Sequence, residues 1–195
     1  MKKRLFLSLV LAASLAACDQ PGKPLFKGID LTGAEYARSL NMSDQEGRMR
    51  SLADFKGKVV VLFFGYTQCP DVCPTTMAEL AEVKRSLGAD GDKLQGVFVT
   101  IDPERDTAAL LKAYLASFDK SFVALRGSEE QTKAAAKEFK VFYAKVPGKT
   151  EGSYTMDHTA ASFIFDTQGR VRVFTRYGAG AQAMADDIKV LLAEK

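Results

Sequence analysis

Two thiols and one imidazole are the groups in this chain whose types and spacing can do chemistry. Cys69 and Cys73 stand in "GYTQCPDVCPTTM", residues 65 to 77, with three residues between them and a proline after each. A thioredoxin-type redox pair has two intervening residues. His158, the only histidine of the chain, lies in "YTMDHTAASF". A cysteine acts through its thiolate, which serves as nucleophile or as metal ligand, and a helix N-terminus favours that form by its positive dipole end. Residues i and i+4 of a helix share a face with Cβ atoms roughly 5–6 Å apart, whereas a disulfide wants them near about 3.8 Å. A pair lying within regular helix therefore suits two sulfurs straddling one metal ion. With Cys69 in the loop before the helix, the same pair can also close reversibly. A static disulfide is the structural alternative, and so short a loop stabilises little by chain entropy.

A lone histidine is ordinarily a surface or satisfied core residue. Beside two thiolates it completes a soft-to-borderline set that suits Cu(I) and tolerates Cu(II). Structural zinc normally takes four protein ligands, so zinc would need a carboxylate such as Asp71 or Asp157. Asp102 and Asp106, in "TIDPERDT", end a strand. They read as a turn and a helix cap, or as groups at the mouth of the site. Asp71, Asp102, Asp106 and Asp157 are thus the candidate surroundings of the site. Met156 offers a thioether, with core packing as the alternative. Arg170, Arg172 and Arg176 alternate along a strand and read as a solvated face.

These residues need elements to hold them. "KVVVLFF" (58–64) is a continuous β-branched and aromatic run, the pattern of a strand buried on both faces. The cysteines follow it, and "TTMAELAEVKRSLG" then reads as a helix stopped at Gly88. "LQGVFVTID" is a second buried strand, and Asp106 is placed to cap the next helix, with Leu110, Leu111, Tyr114, Leu115 and Phe118 on one face. "SFVALRG" is a short strand, and Ser128 caps a helix to about Phe139. A loop containing Pro147, Gly148 and Gly152 leads to "ASFIFD" and "RVRVFTRY", which flank "TQG" as a hairpin. A last helix covers about Ala181 to Ala193. "KGIDLTG" and "NMSDQEGRMRSLADFKGK" suggest an N-terminal hairpin leading into a loop. The alternating front and antiparallel end predict an α/β protein of thioredoxin-like fold with an N-terminal extension or hairpin, rather than a Rossmann sheet or a generic α/β sandwich. The site then falls at the end of a buried strand, where α/β proteins place their sites.

The N-terminus bears on the compartment. Lys2, Lys3 and Arg4 precede an apolar run, residues 5 to 17, too short for a comfortable membrane span. With "LAAC" at 15–18 this reads as a lipoprotein signal peptide, residues 1–17, and makes Cys18 the lipidated first residue of the mature protein; an ordinary signal peptide cut elsewhere is the alternative. Residues 18–28 read as a tether and 29–195 as the domain. The chain has 195 residues, 47% hydrophobic and 26% charged, with a formal net charge of +3. Loss of residues 1–17 removes three positive charges and leaves 24 residues of each sign. That balance argues against a nucleic-acid partner. Export also places Cys69 and Cys73 in an oxidising compartment.

"GYTQCPDVCPTT", "TIDPERDT" and "DHTAASFIFD", in this order and spacing, resemble the Sco/SenC family of copper proteins, from about residue 30 to the C-terminus. The resemblance implies a thioredoxin-like fold and copper, as Cu(I) or Cu(II), held by Cys69, Cys73 and His158. It implies a metallochaperone rather than an enzyme, serving the dinuclear copper centre of cytochrome c oxidase subunit II. The protein would be lipid-anchored and face the periplasm, at the inner membrane if Asp19 acts as a retention signal. Its partners would be that subunit and an upstream periplasmic copper donor or thiol reductant. Asp102 and Asp106 match the family's acidic motif. Many relatives carry proline where Ala108 stands, which bears on helix initiation. The alternative reading is a thiol-disulfide oxidoreductase that reduces the oxidase cysteines or acts in redox signalling, with a peroxidase and a binding-only signalling module as more distant ones.

Overall fold

The structure is a computed structural model that describes residues 25–194. The expected signal peptide, Cys18, Asp19 and most of the expected tether lie outside the described residues. In chain order the strands are β1 (Ile29–Asp30), β2 (Asn41–Asp44), β3 (Met49–Ser51), β4 (Val59–Gly65), β5 (Leu94–Thr100), β6 (Val123–Arg126), β7 (Tyr143–Pro147), β8 (Tyr154–His158), β9 (Ala161–Phe165) and β10 (Val171–Arg176). The helices are α1 (Val72–Ser86), α2 (Ala108–Ala116), α3 (Glu129–Glu138) and α4 (Ala181–Ala193).

Eight strands form one mixed sheet in the order β1-β10-β9-β4-β5-β6-β2-β3. Its centre is parallel, β4 beside β5 beside β6, and β9 joins β4 antiparallel. Every residue of β4, β5 and β9 is buried, as their unbroken apolar runs require. Phe64, Phe139 and Phe163 meet edge to face with centroids 5.1 to 6.4 Å apart. Full burial of such side chains contributes about 1.5–3 kcal/mol each. Helix α1 packs on α4, and α4 on β4. This is the expected thioredoxin-like α/β arrangement. The parallel register puts Gly65 beside Thr100, so the loops after β4 and β5 emerge side by side.

Several local expectations hold. Gly88 stands just past α1 with φ +57°, and Ser128 caps α3 through its hydroxyl. Ala108 opens α2 at the first helical position, where proline also fits. The N-terminal hairpin is β2–β3. Asp44 ties it by accepting from the amides of Glu46 and Arg48.

Four expectations are corrected. Thr107, not Asp106, caps α2, accepting from the Leu110 amide, while Asp106 is wholly buried. The stretch read as a loop before β9 contains a separate two-stranded hairpin, β7–β8. Its strands are mostly exposed and carry no clean apolar alternation, so no period marked them. Arg172 is not on a solvated face. It is 6% exposed and pairs with Asp166 and Glu194. The tether ends before residue 28: Phe26 is buried, and the amides of Lys27 and Gly28 donate to the buried carboxylate of Asp187 on α4.

Candidate metal centre

The cysteine segment leaves β4 at Gly65 and enters α1 at Val72. Cys69 lies in the loop and Cys73 is the second residue of the helix. The Cys73 amide, one of the first-turn amides without a helical partner, donates to the Cys69 sulfur at 3.4 Å. Pro74 has no amide to leave unpaired, which is why the first helical turn accepts it. Cys69 is half-buried and Cys73 fully buried, and neither is in a disulfide. Burial pushes the Cys73 thiol well above its ordinary value, and the nearby Cys69 adds to the effect. The helix terminus was expected to lower it; at Cys73 desolvation wins.

His158 closes β8, and the next two residues carry the chain into β9. That link is pinned from both sides. The Thr159 amide donates to the Phe142 carbonyl, and the Tyr177 amide to the Ala160 carbonyl, each at 3.0 Å. The imidazole Nδ1 faces the Thr159 carbonyl at 3.0 Å. A carbonyl only accepts, so the hydrogen-bond network assigns the proton to Nδ1 and leaves Nε2 as the free lone pair. Nε2 points at the Cys73 sulfur, 3.7 Å away. The ring stands edge-on to Phe63 and Tyr66, with centroids 5.8 and 6.2 Å distant. Burial lowers the histidine pKa and so favours the neutral, ligating form.

The ligand atoms of Cys69, Cys73 and His158 all lie within 4.8 Å of one another. Such a span fits one ion with metal–sulfur bonds of about 2.3 Å and metal–nitrogen bonds of about 2.0–2.1 Å. Among the described residues no carboxylate belongs to the group. Asp71 is exposed at the mouth, near the Tyr177 hydroxyl, and Asp157 is exposed on β8. The four-ligand zinc arrangement that one of them would complete is therefore not formed. Two sulfurs, one nitrogen and an open side make a set for a soft ion.

Asp102 and Asp106 lie beneath the cysteine loop. Asp106 accepts from the Thr67 amide and from the hydroxyls of Thr67 and Thr100. Burial raises its pKa against those bonds. Asp102 accepts from the Tyr154 hydroxyl at 2.9 Å and from Arg105. Met156 is buried in the core, in keeping with its packing role. A cavity of about 860 Å³ opens beside Met156 and Asp102, but none of the three ligands lines it.

Two residues of the site escaped the sequence reading. Gly65 is one: a Cβ there would stand 2.9 Å from the Cys73 sulfur, 2.8 Å from Phe63 and 2.9 Å from Phe98. Its place at a strand end before a cysteine was the available signal. Arg105 is the other; it sits inside "TIDPERDT", between acids whose types suggest a site more directly.

Residues 30–193 match the family described as SCO1/SenC. The chain belongs to the SCO1/SenC family. A SCO2-like protein of Rickettsia felis is 35% identical over 153 residues, covering 77% of this chain and 75% of that one. The copper-bound structure of Bradyrhizobium japonicum ScoI is 40% identical with a TM-score of 0.71, covering 78% of this chain and 97% of that one. The apo Sco1 of Thermus thermophilus is 34% identical with a TM-score of 0.76, covering 87% and 99%. Within this SCO1/SenC chain, the motif that carries the resemblance brings its two cysteines and its histidine to one point.

Proposed function

We propose that this protein is a copper metallochaperone that holds one copper ion between Cys69, Cys73 and His158. It passes the ion to the dinuclear copper centre of cytochrome c oxidase subunit II. The observation that carries the reading is the convergence of two sulfurs and a lone-pair-bearing Nε2 within 4.8 Å. The donor chemistry supports it: two thiolates hold Cu(I), and the borderline imidazole extends the set to Cu(II). The copper-bound relative supports it from outside. A half-buried Cys69 and an open side suit an ion that must leave again.

The same reading makes the chain a lipoprotein. Residues 1–17 are a signal peptide and Cys18 carries lipid. The domain then faces the periplasm from the inner membrane, where a copper donor or thiol reductant meets it. Among the described residues no helix is long and apolar enough to cross a membrane.

Titration of the reduced chain with Cu(I) and Cu(II) tests this. One ion per chain is expected. His158→Ala should keep Cu(I) on its two thiolates and lose Cu(II) affinity by about 10-fold or more, the loss of one neutral imidazole ligand. Absence of stoichiometric copper in the wild type would overturn the reading.

A second reading has its own observation: an accessible Cys69 beside a buried Cys73 is the arrangement of an attacking and a resolving thiol. Cys69 thiolate would attack a target disulfide, and Cys73 would displace the target dithiol, leaving a 69–73 disulfide. Oxidase activity in a deletion strain separates the two. Loss with Cys69→Ser, Cys73→Ser and His158→Ala favours copper; retention in the histidine variant favours thiol exchange.

A further inference from the structure

The hairpin that carries His158 is not hydrogen-bonded strand to strand with the main sheet. Its end at His158 is held by the short link to β9 and the Tyr177 amide on Ala160; away from that link, side chains set where it lies. Tyr154, Met156 and His158 alternate along β8 and so share one face of it. Met156 is buried, and Tyr154 meets a single arginine.

Arg105 stands at the junction of three segments. Its Nε donates to Asp102 in the loop after β5. Its Nη1 donates to the Gln68 side-chain oxygen at 3.1 Å, one residue before Cys69. The same Nη1 donates to the Tyr154 carbonyl at 2.9 Å, four residues before His158. The guanidinium lies 3.6 Å from the centroid of the Tyr154 ring, and 5.8 Å from that of Tyr66. The Tyr154 hydroxyl returns to Asp102. The planar fork and its stacking are what arginine supplies and lysine does not. Outside it, Lys145 pairs with Glu104 across the same gap, but both ends are exposed and the pair is worth little.

We propose that Arg105 is a positioning residue: its guanidinium latches the β7–β8 hairpin to the cysteine loop and so sets where His158 stands relative to Cys69 and Cys73. Asp102 holds the latch from below. The copper arm of the test rests on the reading above; the latch itself is a property of the copper-free protein.

Hydrogen exchange on the reduced, copper-free full chain tests it first. In Arg105→Met the amides of residues 143–158 should exchange about 10-fold faster or more, with β4 and β5 unchanged. Arg105→Lys should restore protection only in part. With Cu(II) added, the imidazole nitrogen hyperfine coupling should weaken and affinity fall by about 10- to 100-fold, as for groups that orient a ligand. Cu(I) affinity, resting on the thiolates, should hold. Unchanged exchange and unchanged imidazole coupling in Arg105→Met would overturn the latch. So would equal loss of protection in β4, β5 and the hairpin, which marks a general structural role. Removing Arg105 leaves the buried Asp102 charge unpaired, a change that can unfold a domain. The double variant Asp102→Asn, Arg105→Met lacks that charge; a protected hairpin in it would also sink the proposal. A wild type that binds no copper would refute the metallochaperone reading and leave the exchange result standing.

Discussion

Gly65 shows how tightly the site is built at the level of single residues. No backbone angle demands glycine there; the Cys73 sulfur and two phenylalanine rings do, because each lies under 3.0 Å from any added Cβ. Gly65→Ala should cost about 1–3 kcal/mol by overpacking and displace Cys73 from its partners. A lower thermal midpoint together with weakened Cu(I) binding checks this; unchanged copper affinity would mean the sulfur is not displaced. Cys73 itself is held protonated by burial, so a metal ion must displace its proton, and copper uptake should strengthen as pH rises. The cysteines and the histidine were legible because type and spacing carry their chemistry. Gly65 and Arg105 were not, since a void and a junction are properties of neighbours distant in sequence.

Elements differ in how far they are written locally. Helix α3 announces itself at its start: Ser128 accepts from the Gln131 amide, and the Gln131 side chain returns to the Ser128 amide. Ser128→Ala should destabilise the domain by about 1 kcal/mol and leave copper binding alone, as paired denaturant melts and copper titrations would show. A change in the copper spectrum would contradict the separation of α3 from the site. The buried strands β4, β5 and β9 were equally plain from composition. The β7–β8 hairpin was hidden, because strands that leave one another's faces exposed need no apolar period. It is also the element that delivers His158. The helix dipole does not set the Cys73 thiol, for a related reason: the sequence shows the helix start but not the burial that outweighs it.

Across the whole molecule, two buried carboxylates with lowered pKa values contribute to acid stability. Burial works against the charge on Asp44, but the amides of Arg48 and Glu46 and the guanidiniums of Arg50 and Arg48 outweigh it, and its pKa is lowered. Asp166 is likewise lowered: burial opposes its charge, and the Arg170 amide and guanidinium and Arg172 prevail. A depressed folded pKa means stability that is present above the unfolded value, about 3.9, and lost as pH falls through the folded one. Stability should therefore drop below about pH 4, and less steeply in Asp44→Asn and Asp166→Asn, each costing about 1–3 kcal/mol near neutrality. Denaturant melts across pH 2 to 7 check the slope; parallel curves for wild type and variants would refute the assignment. Asp44 ties the β2–β3 hairpin, Asp166 ties the β9–β10 hairpin, and Arg172 carries the second network on to Glu194, 22 residues away. The sequence by itself determined the α/β class, the buried strands, most helix limits and the three chemical residues, because periodicity, caps and functional groups are local. Only the tertiary structure decided that two sulfurs and one nitrogen meet within 4.8 Å, that Asp106 lies under the cysteine loop, and that Arg105 joins that loop to the histidine hairpin. Those facts depend on which distant segments the packed sheet brings together, and no window of sequence contains them.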